Sequence, residues 1–149
     1  MMALHSVKLT AICEVFRCHQ QRRRRDSRRA RFAESWIVDD DPAVCNSLKF
    51  SLELEGFVVR TYESAANLLD DDFASCDCFV IDQRMPGISG LELIAKLRDL
   101  KIRTPTILLI SHPNPTVSAR AAAAGVPIVE KPLFGNTLVD KVREACRQR

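Results

Sequence analysis

From Ser35 onward, short apolar runs alternate with amphipathic stretches, and turn residues mark the joints. Trp36-Ile37-Val38 predicts a short buried strand ending in Asp39-Asp40. Asp41-Pro42 offers an N-cap with proline at the first helical position. Val44, Leu48 and Leu52 recur at four-residue spacing, so a helix follows to about Glu55 and Gly56 closes it. Phe57 to Tyr62 reads as a second strand, and Ser64 opens a short helix through Leu68 and Leu69. Cys78-Phe79-Val80-Ile81 then runs into Asp82, with a Pro86-Gly87 turn just beyond. Such a run, bounded by turn residues, is the mark of a strand buried on both faces of a parallel sheet. Ser89-Gly90-Leu91-Glu92 is a capping box, and Leu93, Leu97 and Leu100 form the stripe of the helix behind it. Thr106 to Ile110 is a fourth strand, ending at Ser111. Asn114-Pro115 repeats the cap-plus-proline signal before a short helix through Val117, Ala121 and Ala124, stopped by Gly125. Val126 to Val129 is a fifth strand, followed by Glu130-Lys131-Pro132. Phe134, Leu138, Val142 and Ala145 are the stripe of a last helix.

Five strands alternating with five helices demand an α/β fold: a doubly wound parallel sheet with right-handed crossovers and helices on both faces. In such sheets, ligands and chemistry gather at the carboxyl ends of the strands. Four polar features fall there: Asp39-Asp40 after the first strand, Asp82 after the third, Ser111 after the fourth and Lys131 after the fifth. Each alone is more often a turn former or a cap. Together they place three carboxylates in one pocket, which repel one another and require a cation. Oxygen ligands with room for water suit Mg²⁺. A lysine and a hydroxyl beside them suit a phosphoryl group held by the metal. The implied chemistry is a carboxylate nucleophile that becomes an aspartyl phosphate.

The chain has 149 residues, enough for one domain with a buried core. No apolar run is long enough to span a membrane. The N-terminal arginines follow the apolar stretch instead of preceding it, unlike a signal peptide, so a cytoplasmic protein is expected. The net charge of +3 hides an asymmetry. Residues 1–35 hold nine Lys/Arg against three Asp/Glu, whereas residues 36–149 hold 13 against 16. Residues 1–34 are therefore expected to be a basic, disordered extension, with the folded domain over 35–149. The extension could touch nucleic acid non-specifically through its arginines, although such runs are more often solvated tails. Cys13-x4-Cys18-His19 lacks the second half of a zinc site. Cys76 and Cys78 are expected on one face of a strand, where they are poorly placed to pair with each other. Buried reduced thiols are the simpler reading of the six cysteines.

Val38-Asp39-Asp40-Asp41-Pro42, Asp82 through Gly90, Ala124-Gly125 and Glu130-Lys131-Pro132 resemble the receiver domain of bacterial response regulators, in order and in spacing. The resemblance covers about residues 35–147 and implies a flavodoxin-like strand order of 2-1-3-4-5. It implies Asp82 as phospho-acceptor, charged by a sensor histidine kinase or a histidine phosphotransfer protein. It implies Mg²⁺ held by Asp39, Asp40, Asp82 and the backbone carbonyl of Arg84. Lys131 is then the contact to phosphoryl oxygens, with a cis bond to Pro132, and Ser111 is the switch hydroxyl. The family's usual switch aromatic falls here on Ile128, and Pro113 and Pro115 stiffen the loop after Ser111, which lies about two residues closer to Lys131 than usual. Output is expected through a downstream protein partner or as a phosphate sink, with no membrane involved. Two other readings differ in class. An aspartyl-nucleophile phosphatase usually has a second acid two residues after the nucleophile, and here that residue is Arg84. A nucleic-acid binder would rest on the arginine arm alone and show steep salt dependence.

Overall fold

The structure is a computed structural model that describes residues 32–112 and 114–148. The arginine-rich arm, the Cys13–His19 cluster and Pro113 lie outside the described residues. Phe32–Arg149 make one compact unit. Its strands are β1 (Glu34–Val38), β2 (Val58–Tyr62), β3 (Cys78–Asp82), β4 (Thr106–Ile110) and β5 (Ile128–Glu130). Its helices are α1 (Pro42–Leu54), α2 (Ala65–Leu69), α3 (Gly90–Asp99), α4 (Pro115–Ala123) and α5 (Thr137–Arg147). All strand pairs are parallel, and the sheet order is β2-β1-β3-β4-β5, as the resemblance implies.

The two sheet faces bury different residues of the same strands. Phe79 and Ile81 of β3 join Trp36, Leu68, Leu93, Leu97 and Ala121 in one core layer, under α2, α3 and α4. Cys78 and Val80 point the other way and join Leu48, Leu52, Leu138 and Val142 in a second layer, under α1 and α5. This alternation follows from the two-residue period of a strand, and burial on both faces explains why β3 is continuously apolar.

The structure departs from the sequence expectations at several points. β1 begins at Glu34, an acid that pattern alone places outside a buried strand. Its carboxylate accepts from Trp36 Nε1 at 2.7 Å and meets Arg60 Nε at 2.9 Å, so burial leaves it paired. Cys76 and Cys78 do not share a face. Cys76 precedes the strand, at the end of a 3₁₀ turn (Phe73–Ser75), and lies in the first core layer, whereas Cys78 lies in the second. β5 starts at Ile128 and not at Val126. Gly125 donates to Ala122 O and Val126 to Ala121 O, so Val126 is spent as the hydrophobic seal of a Schellman cap on α4. The same motif ends α3 at Lys101, which adopts φ 63°, and it leaves Leu100 exposed instead of in the stripe. Phe134 is 80% exposed, because the chain turns at Pro132–Gly135 and α5 begins only at Thr137. The buried stripe of α5 therefore starts at Leu138.

Candidate functional site

Parallel pairing brings the carboxyl ends of β1, β3 and β5 to one edge. Asp39 follows β1, and its backbone N–H donates to Tyr62 O at 3.1 Å. Asp82 ends β3 opposite Leu109 of β4. Lys131 follows β5, and its N–H donates to Ile110 O at 2.7 Å. Asp39 and Asp82 are almost fully buried, while Asp40 is exposed. One ligand oxygen from each of Asp39, Asp40 and Asp82 can be chosen so that all lie within 4.8 Å of one another.

The cation at this edge is Lys131. Its Nζ sits 2.7 Å from Asp39 Oδ2 and 2.9 Å from Asp82 Oδ1. Burial raises the Asp82 carboxyl above the ordinary aspartate value; the Lys131 ammonium pulls the other way, and the charges of Asp39 and Asp40 add to the rise. For Lys131, burial disfavours the charge, but its bonds to Asp39 and Asp82 outweigh that and raise its pKa. Three carboxyl groups face one ammonium here, so the cluster is short of positive charge. A divalent, oxygen-seeking cation of the Mg²⁺ kind fits that deficit and that donor set. Asp39 also orders the entry to α1. Its Oδ1 accepts from Asp41 N at 2.9 Å, and Asp41 in turn caps α1 through Ala43 N. The Cys45 thiol donates to Asp39 O, and its pKa rises to about 11, first through burial and then through the Asp39 charge.

The loop after Asp82 is tied down by residues that sequence reasoning did not single out. Gln83 N donates to Leu109 O, while Gln83 O and Oε1 accept from Gly90 N and Leu91 N, each at 3.0 Å. One side chain thus anchors the start of α3 to the end of β3. Gly90 is the close-approach point: a Cβ there would stand 2.6 Å from Asp82 O and 2.7 Å from Leu108 Cδ1. Ser89 and Glu92 complete the predicted capping box. The bland look of Gln83 in sequence hides this role, and only its position just after the acid hinted at it.

Ser111 and Arg84 belong to the loops that follow β4 and β3. Both line a cavity of about 650 Å³ with Gln83, Met85, His112 and Asn114, between the loops after β3 and β4. Ser111 is exposed there, one residue past β4. The Lys131–Pro132 peptide is cis. Ile128 is half-buried against the core layer under α4.

The family described as the response regulator receiver domain matches residues 36–143. The chain belongs to that family. The transcriptional regulatory protein FixJ of Rhizobium meliloti (strain 1021) is 37% identical over 111 residues, covering 73% of this chain and 54% of FixJ. The C4-dicarboxylate transport transcriptional regulatory protein DctD of Pseudomonas aeruginosa is 35% identical over 118 residues, covering 76% of this chain but 25% of DctD. The receiver thus spans about half the length of one curated relative (54%) and a quarter of the other (25%). The crystal structure of FixJ-N superposes with a TM-score of 0.68 at 35% identity, over 80% of this chain and 96% of that one. The response regulator StyR gives 0.73 at 29% identity, over 79% of this chain and 61% of that one. Receivers of this family are phosphoacceptors of two-component systems and not conventional turnover enzymes. Among the described residues, no helix is long and apolar enough to cross a membrane.

Proposed function

We propose that this receiver takes a phosphoryl group on Asp82 from the phosphohistidine of a sensor kinase or phosphotransfer protein, with Mg²⁺ bound at Asp39, Asp40, Asp82 and the Arg84 carbonyl. The observation that carries the reading is the bridge of Lys131 between Asp39 and Asp82, beside the Asp40 carboxylate. In the transfer, a carboxylate oxygen of Asp82 attacks phosphorus, the P–N bond breaks, and the histidine nitrogen keeps the electron pair. Bound Mg²⁺ supplies neutralisation of the phosphoryl oxygens. Lys131, already 2.9 Å from Asp82 Oδ1, supplies the second positive charge. Asp39 holds Lys131 in place. The raised pKa of Asp82 marks a carboxylate held in a dry, crowded site beside Asp39 and Asp40; a phosphoryl group adds further negative charge there, which Lys131 and the metal would offset. The domain thereby promotes its own phosphorylation and later hydrolysis, within the cytoplasm.

Ser111 is the hydroxyl that responds to the phosphoryl group. Ile128 carries no ring to swing inward, so the structural response on this face is small, and a downstream protein reads mainly the charge and loops near Asp82. Backbone NMR with beryllofluoride, a phosphoryl mimic, should shift residues near Asp39, Asp82, Ser111 and Lys131; large shifts through residues 114–130 would refute the small response. For the acceptor itself, acetyl phosphate with Mg²⁺ should add one phosphoryl mass, and Asp82→Asn should abolish it. Undiminished labelling in that variant would sink the assignment.

A further inference from the structure

The amino edge of the sheet, at the opposite end of the strands from Asp82, holds a second polar cleft. It encloses about 590 Å³ between the end of α3, the start of β4, the turn after α4 and the later turns of α5. Arg98 reaches it from the last turn of α3, Arg103 from the loop before β4 and Lys141 from α5. Elsewhere among the described residues, each half-buried lysine or arginine has an acid beside it. Lys49 meets Glu53, Lys131 meets Asp39 and Asp82, and Arg143 meets Glu55 and Asp140. Arg98 and Lys141 are the half-buried cations that meet no acid among the described residues, and both line this cleft. Arg103 is exposed and likewise unpaired among the described residues. Glu144 is the one acid in the lining, and it forms no ion pair with them. Half-burial strips water from a charge, and a counter-ion ordinarily offsets that cost.

We propose that this cleft is a binding site for a diphosphate group, either free pyrophosphate or the same group on a nucleotide. Two guanidiniums and one ammonium match it: arginine grips phosphate oxygens through paired N–H donors, and lysine adds a point charge on a flexible stem. The volume lies within the range of about 300–1,000 Å³ for small-molecule sites. Pro105, Pro127 and Ala145 add apolar surface to the lining, which suits the sugar and base of a nucleotide. α3 and α4 end here and turn their negative ends to the cleft, so the three cationic side chains must supply all the positive charge. Offsetting those helix ends is the competing role for the cations. It fits Arg98, in the last turn of α3, but Lys141 sits mid-helix and Arg103 in a loop. The site needs neither Mg²⁺ nor Asp82, which belong to the other end of the sheet.

The test is a titration of the full chain, isotope-labelled for backbone NMR, in Mg²⁺-free buffer. Inorganic pyrophosphate, ADP and adenosine are each added to separate samples. Pyrophosphate and ADP should shift the amides of Arg98, Arg103, Thr104, Gly125 and Lys141 along one saturating curve, and adenosine should leave them unmoved. Tighter binding of ADP than of pyrophosphate assigns a nucleotide as the source of the group; equal binding assigns the free anion. Arg98→Gln and Lys141→Gln should each weaken pyrophosphate binding about tenfold, the scale of one hydrogen bond to a charged group. Arg120→Gln removes an exposed cation of α4 outside the cleft and should leave the affinity unchanged. Arg103→Gln alters only an exposed side chain and serves as the third variant if either half-buried one fails to fold. The arginine run Arg22–Arg25 also attracts polyanions. Shifts confined to residues 17–31, shifts that never saturate, or equal weakening by Arg120→Gln would overturn the site. Unchanged affinity with lower stability in the cleft variants would overturn it too, and would leave the cations the single role of offsetting helix ends.

Discussion

The two ends of β3 are four residues apart and equally buried, yet they solve the burial of a polar side chain in opposite ways. At the carboxyl end, Asp82 is 4% exposed and shares its space with Asp39, Asp40 and Lys131. At the amino end, Cys78 is 0% exposed, lies in an apolar core layer opposite Ser35 of β1, and donates its thiol to Phe79 O at 3.5 Å. The difference follows from the parallel fold. Helices following strands turn their positive N-termini toward the carboxyl edge, and carboxylates are tolerated there. The amino edge receives helix C-termini, which offer nothing to a buried anion, so the Glu34 carboxylate there relies on Arg60 and the Trp36 N–H, whereas the neutral thiol of Cys78 needs no counter-charge. The charge concentrated at the carboxyl end is not fully balanced by Lys131, as the proposed phosphoryl chemistry requires.

Removing Lys131 should widen that contrast most. Lys131→Ala leaves Asp39 and Asp82 buried without their cation, and a loss of about 3–5 kcal/mol is expected by urea unfolding without Mg²⁺. A loss below about 1 kcal/mol, the scale of a surface pair, would mean that the carboxyl edge is not electrostatically special. Mg²⁺ should act next most strongly. A cation bound only by the native state at a hundred times its dissociation constant adds about 2.7 kcal/mol. The melting temperature should rise with Mg²⁺ in the native sequence and much less in Asp40→Asn; equal responses would remove Asp40 from the site.

The third prediction concerns pH. The native state raises the pKa of Asp82 above the ordinary 3.8, so ionising it costs stability. That cost is complete above the raised folded value and vanishes below the unfolded one. Without Mg²⁺, Asp82→Asn should therefore melt higher than the native sequence at pH 7, with the gain shrinking as the pH falls through the carboxylate range and gone at about pH 3. A gain that grew toward acid would reverse the sign and show the carboxylate to be net stabilised by Lys131. The smallest effect belongs to the amino end. Cys78→Ala should cost about 1 kcal/mol, as a small core truncation does, with no pH dependence near neutrality and unchanged labelling of Asp82. Loss of labelling in that variant would couple the two ends that the comparison separates.

Much of the molecule was legible in the sequence because its elements are locally determined. Asp41-Pro42, Ser89 through Glu92 and Asn114-Pro115 announce three helix starts by chemistry that needs no distant partner. The apolar runs reveal a parallel sheet, since only strands covered on both faces are apolar throughout. Once the sheet is doubly wound, Asp39, Asp82 and Lys131 must fall along one edge, so their meeting could be expected from the sequence. Tertiary structure decided what local signals do not encode. Glu34 enters β1 because Arg60 and the Trp36 N–H meet it there. Gln83 acquires its anchoring role because α3 returns over the end of β3. Cys78 falls in the core layer that Cys146 packs against, 68 residues later in the sequence, and its near neighbour Cys76 in the other layer, because strand alternation divides the two core layers and α5 covers only one of them. Sequence spacing sets which face a residue takes, but its partner across that face depends on which helix the crossover lays there.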